Sequence, residues 1–189
     1  MISLMTGLRR GEQLQLRWRD ISEFEHKANG RDYSLVKITV RGETSKVRKT
    51  RQFVIKDHDY FDGLFKLLQP RFVKSQTDFG KKAKFADALI FSTNGSTAIT
   101  ARAIGYHFDK VLEIAEINDA DKRGLVPYSF RHYFITQRVN SNLTPTAVAE
   151  MCGTSCAQIE KTYYHTTEAK MISNALADYY VKDGMLVPR

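Results

Sequence analysis

Cysteine is scarce: the chain carries only two, Cys152 and Cys156. Two cannot make a disulfide framework, which makes a reducing cytosol the default compartment. A metal site would need further ligands, and no second Cys/His cluster supplies them, so the thiols read as packed side chains and no metal is expected. No apolar run approaches the roughly 18 residues of a membrane span, and no signal peptide opens the chain. A P-loop, a zinc-protease helix and a paired-cysteine module are missing as well. Acidic residues are outnumbered, 21 against 29 lysines and arginines, for a net charge of +8 at pH 7. The resulting pI near 9.5 suggests a polyanionic partner, although an ordinary basic soluble protein would show the same balance.

What is present suits one globular domain. The 189 residues are 42% hydrophobic and 26% charged, both near the globular average. Thr6-Gly7 followed by Leu8, Leu14 and Leu16 reads as a short amphipathic helix closing near Trp18 to Ile21. Residues 33–40 and 51–55 are β-branched and aromatic and read as strands, with a turn at Arg41-Gly42-Glu43 and a basic hairpin at the tip. Helical spacing over 59–69 ends at Pro70. Residues 74–87 read as an exposed connection and 88–91 as a short buried run. Further helices are expected over 100–117, 129–141, 145–152, 156–163 and 167–181. The last carries an apolar stripe, Met171, Ile172, Ala175, Leu176, Tyr179 and Tyr180, suited equally to its own core or to a neighbouring protomer. The fold class is therefore mainly α with a small three-stranded antiparallel sheet, an α+β domain. Leu186-Val187-Pro188-Arg189 resembles a protease recognition sequence left by a removable tag and is set aside. Met1 to Met5 reads as a helix entered midway.

Four patches carry chemistry. The first is Thr6-Gly7-Leu8-Arg9-Arg10-Gly11-Glu12, followed by spaced leucines and Trp18. The second is Lys46-Val47-Arg48-Lys49-Thr50-Arg51, four cations in six residues, running into Phe53-Val54-Ile55. The third is Pro127-Tyr128-Ser129-Phe130-Arg131-His132. The fourth is Gly153-Thr154-Ser155, then Ile159-Glu160, then Tyr163-Tyr164-His165. Taken singly, each has a plain alternative: solvated helix arginines, a non-specific phosphate-binding hairpin, a buried histidine, a core tyrosine. Together and in this order they resemble the boxes of the tyrosine recombinases of the phage-integrase kind.

The resemblance implies that Arg9 and Arg131 clamp a phosphate and that Lys46, with Lys49 as the fallback, is the catalytic lysine. It implies that Tyr163 is the nucleophile, with Tyr164 the adjacent alternative. Tyr128 and Thr154 stand where histidine, or histidine or tryptophan, is usual, and complete the catalytic set; a phenol is a poor base at neutral pH. Arg48, Lys49, Arg51, His132 and His165 are expected to contact DNA. The chemistry suits these residue types. Arginine grips phosphate with a rigid, permanently charged fork, so two of them can replace a metal. Tyrosine attack leaves a 3′-phosphotyrosine that stores the bond's energy, and lysine protonates the departing 5′ oxygen.

The resemblance further implies a site-specific DNA recombinase or integrase, without cofactor, acting on double-stranded DNA as a homo-tetramer when full-length, the present chain being monomeric. A bacterial or phage-encoded cytoplasmic protein acting on the nucleoid is expected. Residues 1–185 would be the catalytic domain, with the family's N-terminal core-binding domain missing. A type IB topoisomerase, or a DNA-binding relative that no longer cleaves, remain the alternatives.

Overall fold

The computed structural model describes residues 2–56, 58–79, 84–141, 143–164, 171–172, 179–182 and 185–188. Two short helices, α1 (Ile2–Thr6) and α2 (Arg10–Leu14), lead through a 3-10 turn at Trp18–Asp20 into β1 (Ile21–Ala28), β2 (Arg31–Val40) and β3 (Arg51–Ile55). Then follow α3 (His58–Phe79), a 3-10 turn at Phe85–Asp87, α4 (Ala101–Ile114), α5 (Ser129–Asn140), α6 (Pro145–Cys152) and α7 (Cys156–Tyr163). Strands β4 (Tyr179–Lys182) and β5 (Met185–Pro188) close the chain as a separate antiparallel pair.

The main sheet is antiparallel in the order β1-β2-β3. Its inner face follows from strict alternation: Val36, Ile38 and Val40 on β2 are buried, and Ile38 sits opposite Phe53 while Val36 sits opposite Ile55. Leu8, Leu16, Phe61 and Ile90 cover that face as the first core. The second core, Phe134, Ile135, Val139, Val148, Ala149, Cys152 and Ile159, binds α5, α6 and α7 together. Met151 packs against both.

Several expectations need correction. β1 was not foreseen as a strand. It is a polar edge strand with little burial, so no alternation marks it. The available signal was Asn29-Gly30, whose positive φ values of 50° and 73° make the two-residue hairpin turn to β2. The expected first helix is broken at Gly7, which takes φ +62°. A Cβ there would lie 2.5 Å from the Phe134 ring. Pro70 does not stop α3, which continues to Phe79, so part of the supposed connection over 74–87 is helix. Phe72, two residues beyond the proline, is buried and stacks edge-on against Phe85. Packing of this kind offsets the roughly 3 kcal/mol that an interior proline costs. Of the helix expected over 167–181, residues 171–172 are helical, but 179–182 form a strand paired with 185–188, which includes three residues set aside as a tag remnant. Ala175 and Leu176 lie outside the described residues, and Met171 and Ile172 are exposed. The helices from 100 onward to 163 start and end within a few residues of their expected bounds, with Thr100, Thr144 and Ser155 as N-caps.

One buried ion pair ties α2 to β3. Glu12 is 3% exposed, and its two carboxylate oxygens accept from Arg51 Nη1 at 3.0 Å and Nη2 at 2.8 Å. Oε2 also accepts from the backbone N–H of Arg9 at 3.0 Å. Burial pushes the Glu12 carboxyl up, but the Arg51 fork, the Arg9 N–H and both guanidinium charges outweigh it and leave it below its ordinary value of 4.5. Arg51 in turn lies under Gly153, where a Cβ would meet its Nη1 at 2.6 Å, and Gly153 has φ +62°.

Two outcomes follow. Because its folded carboxyl titrates lower than the unfolded one, Glu12 contributes stability above the ordinary carboxylate range, and this is lost as pH falls through the lowered folded value. Denaturant melts from pH 7 downward should therefore show a steeper acid loss for the wild type than for Glu12→Gln. Glu12→Ala at pH 7 should cost about 3–5 kcal/mol, because it strands the Arg51 charge. Gly153→Ala should cost more than the about 1–2 kcal/mol of a left-handed alanine, since the added methyl also displaces Arg51; the same melts measure it.

Candidate active site

The site lies at the seam of the two cores, and its geometry begins with the end of α6. A helix leaves its last carbonyls without intrahelical partners. Here the Thr154 N–H returns to the Ala149 carbonyl at 3.0 Å, the long bond of a Schellman turn made by left-handed Gly153. The Glu150 carbonyl accepts from the Gly153 N–H at 3.3 Å, and the three carbonyls after it each accept from a different arginine. Met151 O takes Arg51 Nε at 3.0 Å, Cys152 O takes Arg131 Nη2 at 2.9 Å, and Gly153 O takes Arg9 Nη1 at 2.6 Å. The negative end of the helix dipole favours this gathering of cations.

Arg131 enters from the first turn of α5 and is 2% exposed. Its Nη1 donates to the carbonyl of Gly7, which is why the left-handed turn at Gly7 matters. Its Nε is buried without a hydrogen-bond partner, an unusual state for so polar a group. Arg9 caps α2 from an extended backbone, and its side chain reaches across to α6. The two guanidiniums are thus oriented by backbone, leaving little rotamer freedom to be lost on binding an anion.

Both arginines line a cleft of about 280 Å³ whose wall also contains Lys46, Tyr128, His132, Ile135, Thr154, Gln158, Thr162 and Tyr163. All six residues expected to be catalytic are therefore brought together, although they come from four separate stretches of chain. Lys46 arrives on the exposed connection 41–50, which is not strand but a series of turns. Arg41 steadies its base, pairing through Nε with Asp20 at 3.1 Å. Tyr128 precedes α5 and is 43% exposed. Ser155 serves as the N-cap of α7, accepting from Gln158 N–H at 3.2 Å, so α7 starts immediately after Thr154 and carries Tyr163 back to the cleft.

Of the two adjacent tyrosines, Tyr163 lines the cleft, and its hydroxyl lies 2.6 Å from His132 Nδ1. Burial, foremost, and then Tyr128 push its phenol above the ordinary value of 10, against the opposing charge of Arg131. Tyr164 caps α7 and is 41% exposed.

The expected DNA contacts divide. Arg48 and Lys49 are exposed on the 41–50 connection, outside the cleft wall. Arg51 departs from its expected role: its fork is committed to Glu12 and its Nε to Met151, so it braces the site from inside. His132, expected on DNA, lines the cleft and touches Tyr163. His165 lies outside the described residues. Sequence reasoning gave no role to Glu12, Gln158 or Thr162. Glu12 falls three residues after Arg9, the spacing of a capping box, and Gln158 donates to Thr162 Oγ1 at 2.6 Å across one turn of α7. Both spacings were available signals.

Among the described residues, no three His, Cys, Asp or Glu side chains gather as a metal site, and no helix is long and apolar enough to cross a membrane.

Comparison with curated proteins finds no significant sequence match. Among solved structures, the XerH site-specific recombinase bound to difH substrate in a pre-cleavage complex is similar with a TM-score of 0.58 and 19% identity, over 93% of this chain and 44% of that one. The XerA recombinase gives 0.57 and 19%, over 94% and 57%. The Tn1549 transposon integrase in complex with transposon right end DNA gives 0.55 and 20%, over 92% and 55%. The chain spans about half the length of these structures. At such identities the likeness is one of fold. The model of the phage integrase family, however, matches residues 1–170, and with that match, the chain belongs to the phage integrase family of tyrosine recombinases.

Proposed function

We propose that this domain breaks and rejoins DNA strands through a covalent bond between Tyr163 and a 3′ phosphate, as the chemical step of site-specific recombination. The observation that carries the reading is the convergence of Arg9, Lys46, Tyr128, Arg131, Thr154 and Tyr163 on one cleft. Phosphoryl transfer asks for positioning and for stabilisation of charge on the non-bridging oxygens. Arg9 and Arg131 supply that charge from fixed positions, and the unpartnered Nε of Arg131 is a donor that a phosphate oxygen would satisfy. Tyr128 and Thr154 add hydroxyl donors. The Tyr163 oxygen attacks phosphorus, the bond to the 5′ oxygen breaks, and Lys46 gives that oxygen its proton. Reversal with a new 5′ hydroxyl rejoins the strand without an external energy source.

Double-stranded DNA as partner is supported by the net charge of +8, by the exposed cations of the 41–50 connection, and by solved relatives bound to difH and transposon DNA. Exchange between paired sites, in a tetramer of the whole protein, distinguishes this function from relaxation of supercoils.

Incubation with a nicked suicide duplex, followed by denaturing electrophoresis, tests the chemistry. Wild type should form a covalent adduct, and Tyr163→Phe should form none while binding duplex as before. Tyr164→Phe should retain the adduct; the opposite pattern would move the nucleophile by one residue. Arg9→Ala should cleave at least a hundredfold more slowly, the loss of about 3 kcal/mol typical of one such donor. Arg131→Lys, which keeps the charge and loses the fork, should also be slow. Affinity measured by fluorescence anisotropy should fall steeply with added salt, as phosphate contacts require.

A further inference from the structure

We infer that His132 is the general base of strand transfer, taking the phenolic proton on Nδ1 as Tyr163 attacks and returning it on rejoining. This rests on the proposed strand-transfer reading and deepens it. The resemblance had led to a different expectation: a histidine is usual at position 128, Tyr128 stands there instead, and His132 was assigned to DNA contact. The geometry points elsewhere. Nδ1 lies 2.6 Å from the Tyr163 hydroxyl oxygen, within the reach that general base catalysis needs. The two rings are 5.6 Å apart between centroids. The Tyr128 ring meets the imidazole edge-on at 5.0 Å, so the residue in the usual histidine position props the histidine one turn further on.

A base is needed. Even an unperturbed phenol is ionised to only about one part in a thousand at pH 7, and the phenol of Tyr163 is pushed higher still. Among the residues lining the cleft the choice is narrow. Arg9 and Arg131 are donors only, Thr154, Thr162 and Gln158 are too weakly basic, and Tyr128 is itself a phenol. Lys46 serves the opposite proton, the one delivered to the 5′ oxygen. The imidazole offers a lone pair at bonding distance, provided its ring proton sits on Nε2, and the phenol O–H then donates to Nδ1. The balance closes: the Tyr163 proton passes to His132, the O–P bond forms, the P–O5′ bond breaks, and the 5′ oxygen receives a proton from Lys46.

Single-turnover cleavage of a suicide duplex by the whole chain tests the role. His132→Ala and His132→Gln should each slow cleavage by about 10²-fold or more, with duplex affinity unchanged. Free imidazole should restore part of the His132→Ala rate and leave wild type unaffected. A duplex with sulfur in place of the bridging 5′ oxygen separates the two protons, because a thiolate departs without needing one. That substrate should rescue Lys46→Ala and fail to rescue His132→Ala. Wild-type rates for either His132 variant, or rescue of His132→Ala by the sulfur substrate, would overturn the assignment while leaving the covalent chemistry standing. Absence of any adduct with wild type would overturn the strand-transfer reading itself.

Discussion

Three consecutive carbonyls at the end of α6, those of Met151, Cys152 and Gly153, accept from three arginines that lie far apart in the chain, and the site depends on this arrangement. Helix geometry leaves these oxygens without partners, and left-handed Gly153 turns the chain so that they diverge toward different neighbours. Arg51 comes from the sheet, Arg131 from α5, and Arg9 from the turn between α1 and α2. The same bonds that complete a helix terminus therefore join the first core to the second. They also orient the two guanidiniums that line the cleft. A guanidinium held by backbone oxygens cannot swing, and this suits a group that must meet charge developing on a phosphate.

The arrangement explains the polar burial around it. A buried charge is costly unless it is paired and hydrogen-bonded. Arg51 is matched by the buried carboxylate of Glu12, and Arg9 lies 3.6 Å from the same carboxylate. Arg131 has carbonyls and no carboxylate among its described partners. Its positive charge is thus the least neutralised of the three, and its Nε is, among these three guanidiniums, a buried nitrogen without a partner. An anion in the cleft would supply both. Cys152 adds a passive boundary: burial raises its thiol, against the nearby arginine charges, which keeps it a packed neutral group beside the clamp.

The supports of the cleft differ in kind. Arg9, Arg131, His132 and Tyr163 stand on or beside helices of the packed bundle, whereas Lys46 arrives on a ten-residue run of turns, 41–50, outside regular strand. Groups that hold charge benefit from rigidity. A proton donor that must follow a departing oxygen tolerates a looser support; the connection is held at its ends by Arg41 on Asp20 and by Arg51 on Glu12, and at its middle by buried Ser45.

Much of this was legible in the residues alone. Local signals decide local structure: β-branched and aromatic residues marked the strands at 33–40 and 51–55, and the helices over 100–117, 129–141, 145–152 and 156–163 were expected from the residues. The four boxes named the six side chains expected to be catalytic that line the cleft, because side-chain chemistry is written directly in residue identity. Other features depend on contacts between distant segments. Pro70 remains inside α3 because Phe72 has a core to enter. Arg51 faces inward because Glu12, thirty-nine residues earlier, awaits it in a space that only a glycine at 153 leaves open. The pairing of His132 with Tyr163 arises where α7 returns across α5. Backbone carbonyls carry no residue label at all, so the three that fix the arginines could be seen only once the chain had folded around them.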